Sequence, residues 1–207
     1  MASWYEERVL SHVIERSLSD PRIVQWRRAA VAPATGEVVE FGFGAGPNLP
    51  HYGPGVTSVR AVEPVDSAWA RAADRIDAFG RPVQRIGLDG AHVAGADASV
   101  DTVVSSFTLC TIADLGAALG EARRLLRPGG RLVFVEHSLA PDEGIAKWQR
   151  RIQPVWGALA GGCHLDRDLP RLIAGAGFDV RVDESAYALP GVGRLSTWLV
   201  RGTATAR

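Results

Sequence analysis

A buried strand that runs straight into alternating glycines constrains this chain more than any other feature. Residues 38–41 (VVEF) form a mostly apolar run, and Gly42, Gly44 and Gly46 follow at every second position. Glycine is favoured where the backbone needs a positive φ or must approach a ligand with no Cβ between them. Open α/β sheets bind nucleotides at such a turn, at the carboxyl end of a strand. The pattern therefore predicts a sheet of this kind, with a ligand site beside the three glycines.

The residues around these glycines narrow the choice of ligand. The dinucleotide fingerprint G-x-G-x-x-G does not fit, because Pro47 occupies a position that requires glycine. The carboxylate just ahead of the turn would also repel a pyrophosphate. The spacing E-x-G-x-G-x-G resembles instead the first motif of the class I S-adenosylmethionine (SAM) methyltransferases, whose cofactor carries no phosphate. A plain tight turn between strand and helix is the alternative. The resemblance implies that SAM is contacted by the turn and its flanks: Glu40, Gly42, Gly44, Gly46 and Asn48.

The remainder of the chain predicts helices followed by an α/β core. An amphipathic helix is expected at residues 3–19, and a second helix begins where Asp20 can cap Pro21. Strands and helices then alternate, which is typical of a doubly wound parallel sheet. The strands are predicted at 37–41, 57–62, 82–87, 100–106, 131–136, 178–184 and 195–202, and the helices between them at 66–79, 113–127, 145–160 and 168–176.

These elements predict one domain, 1–207, with an N-terminal helical cap at 1–33 and a Rossmann-like core at 36–207. Its fold class is α/β, with a seven-stranded, mostly parallel sheet. A short loop joins the last two strands, so they should form an antiparallel pair at one edge. Pro154 should kink or break its helix, and the glycines of 127–130 should form a sharp turn before strand five.

The composition and net charge limit the kinds of partner that are expected. The 207 residues are 46% hydrophobic and carry no net charge, so a general attraction to nucleic acid is not expected. The N-terminus lacks the basic start and apolar core of a signal peptide, and no apolar run is long enough for an integral membrane segment. A cytoplasmic protein that acts on a small molecule is expected, and its oligomeric state stays open.

Acidic and apolar residues at the next strand ends could complete a cofactor site. Glu63 ends strand two, where a carboxylate can accept both hydroxyls of a ribose, and Pro64 offers a flat surface for adenine. After strand three, Leu88 and Asp89 could contact the adenine ring and its amino group. A solvated strand-end carboxylate and an ordinary turn residue are the alternatives for Glu63 and Asp89.

The exit of strand four should line the same crevice. Ser106 and Phe107 would lie beside the cofactor, and Cys110 is interpreted as a small buried wall residue. The two cysteines, Cys110 and Cys163, are far apart and form no C-x-x-C pair. With no ligand spacing among the histidines either, the prediction is that no metal takes part.

Further motifs extend the resemblance over residues 36–180. The segments 97–104 (DASVDTVV) and 125–131 (LLRPGGR) resemble those of SAM methyltransferases of the UbiE and phospholipid-methyltransferase type. The segments 107–110 (FTLC), 135–137 (VEH) and 156–167 resemble a narrower, methyltransferase-like subgroup whose animal members methylate thiols. The resemblance implies SAM as cofactor, S-adenosylhomocysteine as product and a small, fairly apolar acceptor, with a thiol favoured.

Two histidines are the candidates for a base that activates the acceptor. Methyl transfer is an in-line displacement that depends mostly on positioning in a dry site, but a thiol with an ordinary pKa near 8.5 benefits from a base. His137, at the end of strand five, is the leading candidate base and His164 the second, with a structural role as the alternative for each. The acceptor pocket is predicted between the N-terminal helix and the segment 137–166.

Three rival functions stay open. An O- or N-methyltransferase of a lipid, quinone or natural product shares the fold and the cofactor. An NAD(P)-dependent oxidoreductase is disfavoured by Pro47. A non-catalytic SAM-binding module would bind the cofactor without turning over any acceptor.

Overall fold

A seven-stranded sheet forms the centre of the protein in the computed structural model, which describes residues 18–207. Its order is β3-β2-β1-β4-β5-β7-β6. The first five strands pair in parallel, whereas β7 is antiparallel to both β5 and β6. The predicted mostly parallel sheet with an antiparallel pair at one edge is therefore confirmed. The strands are β1 (Gly36–Phe41), β2 (Val56–Val62), β3 (Val83–Gly87), β4 (Val100–Ser106), β5 (Leu126–His137), β6 (Phe178–Tyr187) and β7 (Trp198–Ala206).

The order of the strands places a crevice at the end of β1. The chain leaves β1 towards β2 and β3, and then crosses to β4 on the other side of β1. In open α/β sheets, ligands bind outside the carboxyl ends of the strands at such a switch point. The two strands beside this crevice, β1 and β4, are buried along most of their length, as expected for a sheet that is covered on both faces.

Six helices lie among the described residues. Leu119 of α4 and Ile173 of α6 are fully buried in the largest apolar cluster of the sheet. Two short 3-10 turns, Leu49–His51 and Gly191–Leu195, add to the loops. The helices are α1 (Pro21–Val31), α2 (Asp66–Ala70), α3 (Ala73–Phe79), α4 (Leu115–Leu125), α5 (Glu143–Leu159) and α6 (Leu169–Gly175). None of the helices in this part of the chain combines the length and the apolar composition needed to cross a membrane.

Helix α1 packs where the sheet meets the crevice. Asp20 caps it as predicted, because its Oδ1 accepts a hydrogen bond from the Arg22 N–H at 2.8 Å. Ile23 and Trp26 are buried in a cluster that also contains Phe107, directly after β4. The helix predicted at 3–19 lies outside the described residues, except for positions 18 and 19, which form a turn.

Two helix predictions were wrong in detail. The helix expected at 66–79 is divided at Arg71 and Ala72, where Ala72 N–H bonds to Trp69 O in a tighter i to i−3 turn and its side chain is fully buried. The expected break at Pro154 does not occur, since α5 runs through it. Pro154 and Arg150 are both exposed, so water can satisfy the Arg150 carbonyl that lacks an N–H partner.

The strand boundaries also differ from the prediction, most informatively at the starts of β5 and β7. The turn expected at 127–130 is a bulge inside β5, because β4 pairs with Leu126 before it and with Arg131 after it. The last strand begins at Trp198 rather than at 195. Leu195 instead ends the second 3-10 turn, and Thr197 closes this turn by donating from Oγ1 to Gly193 O at 2.6 Å.

Candidate active site

The glycine turn has the left-handed backbone that its sequence predicts. Gly42, Gly44 and Gly46 have φ of 69°, 59° and 70°. A Cβ on Gly42 would lie 2.0 Å from Thr108 Oγ1, and one on Gly46 would lie 3.1 Å from Leu49 Cδ1. A Cβ on Gly44 would meet nothing nearer than 4.0 Å. Two of the glycines are thus required by packing, whereas Gly44 faces open space at the carboxyl end of β1.

Glu63 lies at the edge of this open space. Its Oε2 accepts a hydrogen bond from Gly44 N–H at 2.6 Å, and its Oε1 accepts one from Val65 N–H at 2.8 Å. The side chain is 4% exposed, and this burial raises the pKa of Glu63. Pro64 follows on the exposed side of the chain. The predicted ribose-binding carboxylate is therefore adjacent to the one glycine of the turn that faces outward.

Glu40 supports the turn from behind. Its Oε1 accepts from Asn48 Nδ2 at 2.8 Å and its Oε2 from Tyr52 OH at 2.5 Å. Asn48 Oδ1 in turn accepts from Arg27 Nη1 of α1 at 2.9 Å, and Asn48 Nδ2 lies 3.2 Å from Ser106 Oγ. Removal from water raises the pKa of Glu40 to about 7. All five residues are buried.

This network changes the interpretation of three predicted cofactor contacts. Glu40, Asn48 and Ser106 are directed towards one another and towards α1, inside the protein. The structure brings them to the glycine turn, as predicted, but their polar atoms already have protein partners. Direct contact of these side chains with SAM stays a prediction.

The loop after β3 carries the next two predicted residues. Leu88 is 60% exposed. Asp89 accepts from Ala91 N–H at 2.8 Å through Oδ1, and its Oδ2 lies 3.1 Å from His92 Nδ1. This backbone hydrogen bond lowers the pKa of Asp89. The alternative of a turn residue is thus realised in the geometry, and contact with adenine stays a prediction.

A buried carboxylate fixes the loop that leaves β4. Oε1 of Glu136 accepts from the N–H groups of Thr108 and Leu109, both at 3.1 Å, and its Oε2 accepts from Cys110 N–H at 3.1 Å. Ser105 Oγ donates to the same group at 2.6 Å. No role is predicted for Glu136 from the sequence. Its position at the end of an apolar strand was the only available signal.

The same loop begins with a strained residue. Phe107 has φ of 56°, a left-handed conformation that costs a non-glycine residue about 1–2 kcal/mol. Such outliers cluster at functional sites. The Phe107 ring lies 5.4 Å from the ring of His137 and 5.3 Å from the guanidinium carbon of Arg27. Phe107 thus contacts His137 at the end of β5, and the next residue, Thr108, packs against Gly42 of the glycine turn.

Beyond Phe107, the fold gathers three side chains that are distant in sequence. His137 Nδ1 lies 3.9 Å from Cys110 Sγ and 3.7 Å from Cys163 Sγ, and the two sulfurs are 3.7 Å apart. Both cysteines are buried, and His137 is half-buried. We call these residues the Cys-His cluster. Spacing along the chain did not reveal it, because 27 and 26 positions separate its successive members.

The pKa values of the two thiols in the cluster are shifted in opposite directions. The hydrogen bond with Cys110 and the charge of His137 lower the pKa of Cys163 to about 4, against the effect of burial. Contact with Cys163 and burial raise the pKa of Cys110. Burial lowers the pKa of His137, but the charge of the Cys163 thiolate outweighs it and raises that pKa overall. These shifts favour negative charge on Cys163 over Cys110, beside the His137 imidazole.

His164 lies beside the cluster. Its Nδ1 is 3.4 Å from Gln153 Nε2 and 3.6 Å from Asp166 Oδ1, and 38% of its side chain is exposed. Its backbone N–H donates to Cys110 O at 2.7 Å, which ties the Cys163 loop to the loop after β4. The two predicted catalytic histidines thus lie on adjacent segments, and His137 alone contacts the two sulfurs.

Comparison with known proteins identifies related sequences. The family model of a methyltransferase domain matches residues 9–182. The thiol S-methyltransferase TMT1B of Rattus norvegicus is 34% identical over 137 residues, 63% of this chain and 55% of that protein. TMT1A of Homo sapiens, also a thiol S-methyltransferase, is 33% identical over 147 residues, 68% of this chain and 59% of that protein. The chain thus spans little more than half the length of these relatives.

A bacterial relative matches over more of its length. The demethylmenaquinone methyltransferase of Thermus thermophilus is 28% identical over 206 residues, 87% of this chain and 93% of that protein. Among solved structures, a Thermotoga maritima SAM-dependent methyltransferase, described as a possible histamine N-methyltransferase, has a TM-score of 0.70 at 20% identity and 97% coverage of both chains. The [4+2]-cyclase SpnF scores 0.66 at 17% identity, covering 89% of this chain and 80% of SpnF. These two structures support the fold alone.

Proposed function

Because the chain belongs to the methyltransferase-domain family, we propose that it transfers a methyl group from SAM to a small, fairly apolar acceptor, and that this acceptor is a thiol. Family membership confirms the predicted class of protein. The observation that carries the cofactor assignment is the open space in front of Gly44, at the edge of which lies the buried carboxylate of Glu63.

The residues present fit SAM. A side chain at Gly44 would enter the open space that we assign to the methionine part, and Glu63, at the edge of this space, is our candidate acceptor for the ribose hydroxyls. Pro64, Leu88 and Asp89 are the candidates for the adenine side, since they follow β2 and β3 on the outside of the sheet. Bound SAM supplies an electrophilic methyl group on a sulfonium, and S-adenosylhomocysteine is the product.

The chain's own residues account for positioning and for the exclusion of water. The strained Phe107 and the loop that Glu136 fixes lie between the glycine turn and the Cys-His cluster, so an acceptor held at the cluster approaches the cofactor side of Phe107. Phe107 is buried together with Val135 and Leu199, which limits the access of water on this side of the loop.

Two observations favour a thiol as the acceptor. The thiol S-methyltransferases among the relatives are 33–35% identical to this chain over the matched segments. The fold also holds two sulfur atoms within 3.9 Å of the His137 imidazole, so the surroundings of this histidine suit sulfur. We assign activation of the acceptor to the cluster. In this proposal His137 contacts the acceptor, and His164 lies at the rim of the cluster. A lone neutral His137 as base fits less well, because Cys163 raises its pKa.

The cofactor assignment is tested by a matched pair of glycine substitutions. Gly44→Ala and Gly80→Ala both place a Cβ on a residue with φ near 60°, and in neither position does that Cβ contact a protein atom closer than 4.0 Å. Both should cost about 1–2 kcal/mol of folding stability through the backbone alone. Only Gly44→Ala should weaken SAM binding in calorimetry, by roughly tenfold or more, about 1.4 kcal/mol. Equal SAM affinity of the two folded variants would refute the assignment.

A quinone-like acceptor is the second candidate. The match to the demethylmenaquinone methyltransferase covers 87% of this chain and 93% of that protein, although its identity is lower. Incubation with methyl-labelled SAM and either benzenethiol or a naphthoquinol distinguishes the two acceptors by the labelled product. SAM binding with no transfer to any acceptor would instead support a binding module, and nicotinamide in the purified protein would revive the oxidoreductase. We propose cytoplasmic action without a nucleic-acid partner.

A further inference from the structure

We propose that Cys110, His137 and Cys163 bind a thiophilic divalent cation, zinc in the first place, and that the fourth coordination position of this cation takes the acceptor as its thiolate. The fourth-ligand part rests on the proposed function, whereas the metal site rests on the geometry of the cluster alone. It replaces the expectation that no metal takes part, which considered only the spacing of ligands along the chain.

The three ligand atoms already have the separations of a tetrahedral zinc site. Zinc bonds of about 2.3 Å to sulfur and about 2.0–2.1 Å to nitrogen place two sulfurs about 3.8 Å apart, and a sulfur and a nitrogen about 3.6 Å apart. The observed separations are 3.7 Å between the sulfurs and 3.7 and 3.9 Å from them to His137 Nδ1. A zinc ion can therefore contact all three atoms without rearrangement of the backbone.

The first part of the support is the loop of Cys110. Glu136 accepts from the N–H groups of three successive residues, the last of which is Cys110 itself. Arg167 Nη1 donates to Leu109 O at 3.0 Å and to Ile112 O at 2.7 Å, so the residues on both sides of Cys110 are also held. Such outer contacts fix ligand orientation at metal sites.

The second part of the support is the loop of Cys163. Gln153 of α5 brackets it, because Nε2 donates to Cys163 O at 2.9 Å and Oε1 accepts from Leu165 N–H at 2.8 Å. The hydrogen bond from His164 N–H to Cys110 O joins this loop to the other one. Two segments remote in sequence are thus locked together at the positions that bring their sulfurs within 3.7 Å.

The number of protein ligands is that of a catalytic metal site, which keeps one coordination position open. Among residues 18–207, the group has these three members, and no further histidine, cysteine or acidic side chain joins it as a fourth ligand. Catalytic zinc sites have three protein ligands and an open position, whereas structural sites have four. In addition, the buried indole of Trp156 packs against the same core as Cys163, and its N–H lies near enough to that sulfur to act on the thiol. It is a donor available to a sulfur ligand.

The chemistry balances with SAM as the methyl donor. The acceptor thiol loses its proton to solvent as its sulfur binds the cation. A lone pair of this sulfur forms the new carbon–sulfur bond while the bond from the methyl carbon to the sulfonium breaks, and that electron pair stays on the sulfonium sulfur. The products are a methyl thioether and S-adenosylhomocysteine. A neutral thioether is a weaker ligand than a thiolate, so the product leaves.

The metal site is tested on the full chain, purified with reductant and without an affinity tag. We expect one zinc per chain after dialysis, and one cobalt(II) per chain after exchange, with absorption from thiolate-to-cobalt charge transfer. All of that absorption must arise from Cys110 and Cys163, since the chain has only two cysteines. Cys163→Ser and His137→Ala should lower metal affinity at least tenfold, whereas the control His164→Ala should retain one metal per chain.

The acceptor position is tested on the cobalt form with benzenethiol as the probe. A third thiolate ligand should raise the charge-transfer absorption, and phenol at the same concentration should leave it unchanged. The proposal is overturned if no metal binds stoichiometrically, if the two cysteines are a disulfide in the protein purified anaerobically, or if benzenethiol does not alter the cobalt spectrum. SAM affinity, measured by calorimetry in Cys163→Ser, keeps this outcome separate from the proposed function, because it should be unchanged whether or not a metal binds.

Discussion

Replacing Glu40 by glutamine should make the protein more stable relative to wild type as the pH rises. Glu40 is fully buried behind the glycine turn, and burial raises its pKa from 4.5 to about 7. The folded protein therefore keeps a proton on this carboxyl over a pH range in which the unfolded chain has lost it. Stability from this group is complete below pH 4.5 and declines as the pH rises towards 7. Glutamine has no proton to lose, so Glu40→Gln does not show this decline.

The shift sets the size of the effect. A difference of about 2.5 pH units between the folded and unfolded pKa corresponds to about 3.4 kcal/mol in full, of which about 2.5 kcal/mol falls between pH 5 and pH 8. The free energy of unfolding of Glu40→Gln minus that of wild type should increase by this amount across the range. The difference is the useful quantity, because burial also raises the pKa of Glu63 and Glu136, which adds to the decline in both proteins.

Urea unfolding followed by tryptophan fluorescence measures this difference at pH 5, 6, 7 and 8. The chain has six tryptophans, of which Trp26 is buried in α1 close to the network. Glu143→Gln serves as the control, because the side chain of Glu143 is 90% exposed. The difference in the free energy of unfolding between this variant and wild type should not change with pH. A difference for Glu40→Gln that varies by less than about 0.5 kcal/mol over the same range would show that the buried carboxyl does not hold its proton.

Two further substitutions test the other buried carboxylates. Glu63→Gln should lose about 1.5–3 kcal/mol of SAM binding, the range for hydrogen bonds to a charged group; calorimetry that finds full SAM affinity in the folded variant would remove Glu63 from the cofactor site. Glu136→Gln leaves the N–H of Cys110 facing an amide NH₂ if the amide oxygen keeps the other donors, and an unsatisfied buried donor costs about 1–3 kcal/mol. Zinc affinity should therefore fall at least tenfold in Glu136→Gln while SAM affinity is retained, and equal losses of both would mean that the whole domain is disturbed.

The sequence predicted those parts of the site that depend on neighbouring residues. The glycine turn follows its strand directly, so periodicity and glycine spacing were sufficient to place Gly44 at the end of β1. Glu63 required only the rule that parallel strands end at the same edge. The helix at 145–160 was found, but its continuity through Pro154 was not, because that depends on Arg150 and Pro154 both facing solvent.

The Cys-His cluster could not be derived in this way. Its three residues lie on different segments, and ligand spacing along a chain reveals only sites built within one segment. The segments 107–110, 135–137 and 156–167 were nevertheless recognised together in the narrower resemblance. Their common feature, at least one thiol or imidazole in each segment near a predicted strand end or loop, was the signal that these segments meet.

The three strands that end at the crevice share one construction, and this accounts for how the two halves of the site can differ in chemistry. Glu40, Glu63 and Glu136 are each buried near the carboxyl end of a strand, and each holds a loop at the crevice through hydrogen bonds. Glu40 and Glu63 hold the loop after β1, and Glu136 holds the loop after β4. Burial raises the pKa of all three, so each weakens the fold as the pH rises, and each is retained at a position where it orders a loop. The first two order the turn at Gly44 on the cofactor side. The third orders Cys110 on the acceptor side. Because the acceptor side depends on Glu136 alone among these carboxylates, substitutions there can alter the cluster while the cofactor site behind Phe107 stays intact, and this independence is what the paired measurements of zinc and SAM affinity examine.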